Sequence, residues 1–204
     1  MLKLPFEKKH SLAPLSIVLV SIVFMLWEPV SSDWFAYNRL QLNEFQWWRL
    51  ITGHFLHTNL MHLVLNLTGI TLLWALHGHY FLNLRYWLVF LLLCLGTSVC
   101  LFVFSTNMQW YVGLSGVLHG LFVIGAYFDI RNHLKSGWLL LLGVYIKVIH
   151  EQIYGASQNI SDLIAANVAI DAHLFGTLTA SLLILYYFIR ARFKSEDIQN
   201  DPIN

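Results

Sequence analysis

Six long apolar runs constrain the fold of this chain more than any other feature of its sequence. A helix needs roughly 20 apolar residues to cross the hydrocarbon core of a bilayer. Charged residues make up only 11% of the chain, against about 25% in a typical soluble domain. The sequence therefore predicts an all-α, polytopic membrane protein whose six transmembrane helices form one bundle. The predicted spans lie at about 11–27, 58–77, 85–105, 115–130, 137–154 and 170–190.

The whole chain, residues 1–204, is expected to be a single membrane domain. Its core would extend over about 12–190, and 191–204 would be a polar cytoplasmic tail. The first apolar run follows the basic segment KLPFEKKH, as the apolar region of a signal peptide would. No small-residue cleavage site follows that run, whereas five further spans do, so we interpret it as the first span.

The distribution of Lys and Arg predicts the orientation of the bundle, because cytoplasmic loops carry an excess of these residues. With six spans, Arg39 and Arg49 lie on one side. The other side holds Lys3, Lys8, Lys9, Arg85, Arg131, Lys135, Arg190, Arg192 and Lys194. Both termini are therefore expected in the cytoplasm, and the 1–2, 3–4 and 5–6 loops outside. The net charge is only +1 and the basic residues form no stripe, so no nucleic-acid partner is expected.

Polar side chains in the second span are candidates for function, because such side chains are costly in lipid and usually face the bundle interior. His62 and Asn66 are four residues apart and share one helix face. His57 lies at or just above the start of this helix, where it could hold water. Convergent donors of this kind could form an oxyanion hole beside a developing negative charge. The alternative is that they only hydrogen-bond neighbouring helices.

The fourth span begins at Ser115, between two glycines in the segment YVGLSGVLHGLF. A helix N-terminus offers free N–H groups and positive dipole character, which favour an ionised serine and an anionic intermediate. Gly113 permits an unusual turn before the helix, while Gly116 and Gly120 form a small-residue face that allows close packing. His119, one turn further along, is a first candidate for the base of this serine.

A second candidate base, His173, heads a small-residue face of the sixth span. Gly176, Thr177 and Ala180 follow it at helical spacing. This face can pack against the small-residue face of the fourth span, which would bring His173 to Ser115. A serine needs a base within about 3 Å to attack a carbonyl group at neutral pH.

Four segments, taken together, resemble the rhomboid family of intramembrane serine proteases: WR at 48–49, HTNLMHLVLN at 57–66, GLSG at 113–116 and AHLFG at 172–176. The resemblance implies a dyad without an acid, with Ser115 as nucleophile and His173 as general base. It also implies an oxyanion hole formed by His62, Asn66 and the backbone N–H of Ser115. Trp48 and Arg49 would stabilise the first outward loop, and Gly176 would let spans four and six touch. Neither a cofactor nor a metal is expected.

The position of His119 departs from the common rhomboid pattern, in which an aromatic residue there stacks on the catalytic histidine. We expect the His119 ring to take that place. The alternative is that His119 assists or replaces His173 as the base.

The small chain and the segment GLSGVLHGLF resemble the rhombosortases, a bacterial branch of the rhomboid family. This resemblance implies a site in the bacterial inner membrane that opens toward the periplasm. The implied partners are the lipid bilayer and exported proteins with a C-terminal anchor, built from a glycine-rich junction, a transmembrane helix and a basic end. A general rhomboid protease with other substrates is one alternative. A rhomboid-like chaperone or adaptor without proteolytic activity is another.

Other polar residues near the predicted spans leave alternatives open. Asp171 would point about 200° away from His173 on a helix, so it is expected to cap the sixth helix rather than complete a triad. Lys147 and Glu151, four residues apart in the fifth span, are expected to form a structural ion pair that faces the bundle interior. With His150, they could instead recognise substrate or control that span as a gate.

Metal chemistry is a weaker interpretation of the histidines. The segment HEQIY at 150–154 has Tyr154 where the zinc-protease motif H-E-x-x-H needs its second histidine. A metal transporter could use His54, His57 and His62, but it would leave GLSG and AHLFG without a purpose.

Overall fold

The computed structural model describes the backbone of residues 4–199 and the side chains as far as residue 192. Lys3, the side chain of Lys194 and the end of the predicted tail, 200–204, lie outside this description. Within it the chain forms helices and one two-stranded sheet: α1 Lys8–Leu26, α2 Val30–Phe35, β1 Tyr37–Asn38, α3 Arg39–Asn43, α4 Arg49–Thr52, α5 Leu60–His77, α6 Asn83–Phe104, β2 Trp110–Tyr111, α7 Ser115–Arg131, α8 Ser136–Tyr154, α9 Gln158–Ile164 and α10 Ile170–Gln199. Short 3-10 turns lie at Gly53–Phe55 and Gly78–Tyr80.

The predicted all-α membrane fold is confirmed. Four helices of the described chain are long and apolar enough to cross a membrane: α1, α5, α6 and α10. Two more long helices, α7 and α8, coincide with the predicted fourth and fifth spans. The protein is a multi-pass membrane protein, while the count of six spans and the cytoplasmic termini stay predictions. Beyond the predicted core, α10 continues through much of the region interpreted as a tail.

The outer surface of the bundle is apolar, as a lipid environment requires. On α6, one exposed face carries Leu84, Leu88, Leu92, Leu95 and Val99, which follow one another at helical spacing. The opposite face of the same helix buries residues such as Phe90, Leu93 and Leu101 in the core. The exposed face of α6 is therefore suited to contact with the lipid bilayer.

Helix α7 lies at the centre of the bundle and packs against α5, α6, α8 and α10. Three glycines on α7 allow this, since each leaves room for a group of a neighbouring helix. A Cβ atom on Gly120 would lie 2.6 Å from Leu93, and one on Gly125 would lie 2.2 Å from the His77 ring. The short apolar helix that begins at Ser115 is thus enclosed by protein on most sides.

The segment between α1 and α5 is held by Arg49, which is 2% exposed. Arg49 donates from Nη1 to the carbonyl of Ala36 at 2.8 Å and from Nη2 to the carbonyl of Asp33 at 2.8 Å. Its neighbour Trp48 donates from the indole Nε1 to the carbonyl of Trp34 at 3.1 Å. These bonds tie α4 to α2, consistent with the stabilising role that the family resemblance implied for Trp48 and Arg49.

The same segment is fastened to the stretch that leads into α7. Strands β1 and β2 pair antiparallel, with Tyr37 opposite Tyr111. Arg39 also donates to four carbonyl groups near the end of α6, those of Leu101, Phe102, Ser105 and Met108. The approach to Ser115 is therefore fixed from two sides before the helix begins.

Candidate active site

Ser115 and His173 meet where the starts of α7 and α10 cross. Ser115 is the first residue of α7, and His173 lies in the first turn of α10. The Nε2 atom of His173 is 2.9 Å from the Oγ atom of Ser115, a hydrogen bond between residues 58 positions apart. The histidine is buried, with 4% of its surface exposed. The structure thus brings together the two residues that the sequence suggested as nucleophile and base.

The backbones of α7 and α10 touch at a glycine pair. A Cβ atom on Gly176 would lie 1.9 Å from the carbonyl oxygen of Gly116, and one on Gly116 would lie 2.7 Å from that of Ala172. Distances below about 3.0 Å are not tolerated by real Cβ atoms, so neither position can take a side chain without moving a helix. This contact sets the distance between Ser115 and His173.

The turn before Ser115 depends on Gly113, whose φ of +126° is a conformation that other residues rarely adopt. Its carbonyl accepts a hydrogen bond from the Tyr111 hydroxyl at 2.6 Å. That hydroxyl also lies 3.4 Å from Nδ1 of His54, whose Nε2 contacts Ser98 at 2.9 Å. His54 and Tyr111 therefore support the turn, a role that the sequence analysis did not predict.

His62 and Asn66, the predicted oxyanion donors, lie beside this turn. Nδ1 of His62 lies 3.0 Å from the Thr58 hydroxyl and 3.4 Å from the Thr58 backbone nitrogen. The Nε2 atom of the same ring faces Gly113, 2.8 Å from where a Cβ atom of the glycine would be. The Asn66 amide donates to the carbonyl of His62 at 3.2 Å, which leaves its second N–H available. The first N–H groups of α7 add further donors at the same place.

His57 lies beside His62. Its ring packs edge-on against the His62 ring, with centroids 5.0 Å apart, and the residue is 3% exposed. Within the described part of the chain, neither of its ring nitrogens bonds to another residue. His57 therefore supports His62, and among the described residues no hydrogen bond links its ring to Ser115.

His119 stacks on His173, with ring centroids 4.1 Å apart and planes inclined by 20°. Its Nδ1 is 2.7 Å from the backbone carbonyl of Ser115, to which it donates. The stacking role expected for His119 is thus the arrangement found. The hydroxyl of Ser115 is bonded to His173, and the local histidine is bonded to the carbonyl of the same residue.

A carboxylate that the sequence analysis did not assign to the site contacts His173. Oε2 of Glu151 lies 2.8 Å from Nδ1 of His173. The predicted ion pair is confirmed, because Nζ of Lys147 lies 2.7 Å from Oε1 of the same glutamate, but the Lys147 side chain is half exposed and does not face the interior as expected. His150 instead is exposed and contacts the Tyr154 ring. The i, i+4 spacing already gave Glu151 a partner on its own helix, Lys147. The second partner, His173, follows only from the packing of α8 on α10.

Asp171 does not contact His173 in this structure. Helix α10 begins at Ile170, so Asp171 lies within its first turn, and the prediction that it caps the helix is wrong. Its carboxylate accepts a hydrogen bond from the Ser105 hydroxyl at the end of α6. This bond fastens the start of α10, next to the site, to the neighbouring helix.

The ligand atoms of His119, Glu151 and His173 lie within 4.8 Å of one another, and these residue types can bind zinc. Two features oppose a metal at this place. The stacked imidazole rings direct their lone pairs along nearly parallel planes, so the lone pairs do not converge on one point. The carboxylate already bonds His173 and Lys147. The arrangement fits a hydrogen-bonded network better than a metal site.

Two openings reach Ser115. A cavity of about 580 Å³, here called the loop-side cavity, lies between the loops around 104–112 and 164–171, and His62 and Asp171 line it. A groove of about 640 Å³, here called the lateral groove, runs between α5, α7 and α8, and its lining includes Asn66, Lys147 and His173. The loop-side cavity is more polar, whereas the lateral groove is almost entirely apolar. Water and an apolar helix could thus approach the same hydroxyl from different directions.

A serine whose hydroxyl bonds an imidazole inside a bundle of apolar helices is the arrangement of an intramembrane serine hydrolase. The sequence profile of the Rhomboid domain matches residues 44–190. The chain therefore belongs to the rhomboid family, whose members are generally intramembrane serine proteases. No protein among those with curated descriptions matches it significantly.

Proposed function

We propose that this protein is an intramembrane serine endopeptidase in which Ser115 is the nucleophile and His173 the general base. The observation that carries the proposal is the 2.9 Å contact between Oγ of Ser115 and Nε2 of His173. A serine needs an adjacent base of this kind to attack a carbonyl group at neutral pH. Membership of the rhomboid family points to the same activity.

The chemistry follows from the order of the contacts. Oγ of Ser115 attacks the scissile carbonyl carbon while its proton moves to Nε2 of His173. The resulting oxyanion is held by the Nε2–H of His62, the free amide N–H of Asn66 and the backbone N–H of Ser115. The C–N bond then breaks as His173 returns the proton to the leaving amine. Water, or an acceptor amine, releases the acyl group from Ser115.

The two openings suggest how a membrane-anchored substrate reaches the serine. The apolar lateral groove suits the transmembrane helix of the substrate, and the loop-side cavity suits water and the extramembrane segment. The helix must unwind at the cut, since the peptide bond of a helix is shielded by its own hydrogen bonds. Glycine near the cut would help, because it weakens a helix by about 1 kcal/mol relative to alanine.

The substrates are proposed to be exported proteins with a glycine-rich C-terminal junction, a transmembrane anchor and a basic end, as for a rhombosortase. The enzyme would then lie in a bacterial inner membrane with the loop-side cavity toward the periplasm. Support comes from the GLSGVLHGLF segment and from the stacked His119, which replaces the usual aromatic ring beside the base. It also comes from the excess of Lys and Arg on the side assigned to the cytoplasm.

Co-expression with a tagged reporter that carries such an anchor tests this specificity. Mass spectrometry of the released protein should locate its new C-terminus near the glycines, and Ser115→Ala should abolish release. A matched reporter with alanines in place of the junction glycines should be cut much more slowly. Equal cutting of both reporters would favour a general rhomboid protease. If neither the proposed anchor nor other membrane-anchored reporters were cut, the chain would be a non-proteolytic relative.

A further inference from the structure

A continuous chain of polar contacts extends beyond the proposed dyad into α8. It runs from Ser115 to His173 at 2.9 Å, from His173 to Glu151 at 2.8 Å, and from Glu151 to Lys147 at 2.7 Å. Each carboxylate oxygen has one partner, with Oε2 on the imidazole and Oε1 on the ammonium group. The contacts join three helices, α7, α10 and α8, through side chains alone.

The position of Glu151 is not explained by its ion pair. Lys147 and Glu151 are one turn apart and could pair on the surface of α8 without any third residue. Instead the glutamate side chain is 13% exposed, whereas that of Lys147 is 50% exposed. Moving a carboxylate toward the bundle interior is costly unless it gains a specific partner there. The partner it gains is the ring nitrogen of His173 that does not face the serine.

We propose that Glu151 is a positioning residue for His173, so that the site works as a Ser–His–Glu triad; this inference rests on the proposed protease function. By accepting a hydrogen bond from Nδ1–H, the carboxylate fixes the tautomer in which Nε2 is free to take the serine proton. It also stabilises the imidazolium that forms when Oγ bonds to the carbonyl carbon. The proton stays on His173 until the leaving amine receives it, and Glu151 remains ionised throughout.

Of the groups around His173, Glu151 is the one that can stabilise a positively charged ring. Helix α7 contributes Ser115 and the stacked ring of His119, and α5 contributes His62. Helix α8 contributes Lys147 and Glu151. Among the described side chains, Glu151 is the carboxylate that contacts the ring. Asp171 instead accepts a hydrogen bond from Ser105. The remaining charged neighbour, Lys147, opposes a positive imidazole, so the stabilisation must come from Glu151.

The test compares Glu151→Gln with the matched control Glu44→Gln, which removes an exposed carboxylate far along the chain from the site. The purified full-length protein would be assayed in detergent for peptide cleavage and for the rate of Ser115 labelling by a fluorophosphonate. Glu151→Gln should lower kcat about 100-fold or more while KM changes little. The acidic limb of the pH profile should move, because the imidazolium has lost the carboxylate that stabilises it. Glu44→Gln should match the wild type.

Glu151→Asp supplies the second variant, and it keeps the charge on a side chain shorter by one methylene. It should retain more activity than the glutamine variant and an acidic limb closer to that of the wild type. The triad is overturned if the glutamine and aspartate variants lose activity equally with unshifted pH profiles, which would make Glu151 a structural tether between α8 and α10. It is also overturned if folded Glu151→Gln cleaves and labels like the wild type. Failure of the proposed function looks different, because the wild type itself would then neither cleave nor label at Ser115.

If Glu151→Gln does not fold, the aspartate variant and the wild type decide the matter. In wild-type protein with ¹⁵N-labelled histidine, Nδ1 of His173 should carry a strongly deshielded proton, as expected for a bond to a carboxylate. Its absence would contradict the role, as would full activity in a Glu151→Asp variant that lacks this proton.

Discussion

The carbonyl oxygen of Gly116 lies where a side chain on Gly176 would begin, 1.9 Å from the position of its Cβ atom. The helices that carry the serine and the histidine therefore meet backbone to backbone. Since Ser115 directly precedes Gly116 and His173 lies one turn before Gly176, this contact controls the geometry of the proposed catalytic pair.

Gly176→Ala is predicted to abolish cleavage and to lower the melting temperature, because the added methyl group forces α7 and α10 apart. Inserting a group into a packed core costs about 1–3 kcal/mol. Thermal unfolding in detergent and fluorophosphonate labelling measure the two effects. Gly143→Ala is the stability control, since nothing lies within 4 Å of its Cβ position on α8. Its melting temperature should stay or rise, and an unchanged melting temperature in Gly176→Ala would contradict the packing argument.

Histidine variants distinguish the two candidate bases. His173→Ala is expected to abolish cleavage, whereas His119→Phe should keep most activity because a phenyl ring can stack on His173 in the same way. His119→Ala should be intermediate, since it loses the stacking but not the base. Cleavage assays at saturating substrate measure the series. A His119→Phe variant as inactive as His173→Ala would assign His119 a chemical role.

His62→Ala and Asn66→Ala are predicted to lower kcat with little change in KM, because their donors act on the oxyanion rather than on the bound substrate. Loss of one oxyanion donor costs about 10²–10³-fold in kcat. Steady-state kinetics on a short peptide measure both constants. A rise in KM at constant kcat would instead place these residues in substrate binding.

Arg49→Ala is predicted to destabilise the protein by about 2 kcal/mol or more, because two carbonyl acceptors lose a charged donor in a buried place. The loss should appear as a lower melting temperature. Arg85→Ala, on an exposed side chain at the start of α6, is the matched control and should have little effect. Equal melting temperatures for the two variants would exclude a stabilising role for Arg49.

The sequence was sufficient to predict the long helices and the serine–histidine contact, because each depended on local pattern. The length of apolar runs located the spans, and the fourth was placed to begin at Ser115, where α7 begins. Small residues following Ser115 and His173 at helical spacing indicated which faces could pack. The short helices α2 to α4 carry weaker patterns, and that segment was expected only as the first outward loop.

What the sequence did not reveal depends on how helices are rotated and placed against one another. Glu151 had a partner four residues away on its own helix, so no local signal pointed to His173. Asp171 was expected to cap its own helix, but its hydrogen-bond partner Ser105 lies at the end of α6. Arg39 and Tyr111 lie in two short elements, α3 and β2, and their carbonyl partners are defined only by the tertiary fold. Contacts of this kind follow from the tertiary packing and not from the local sequence pattern.

Fluorophosphonate labelling of the purified wild-type protein, with mass spectrometry of the labelled peptide, shows whether Ser115 is the nucleophile. We expect a covalent adduct on Ser115, its absence in Ser115→Ala and His173→Ala, and full cleavage activity in EDTA. Cleavage that persists in Ser115→Ala and is lost in EDTA would contradict a serine protease mechanism.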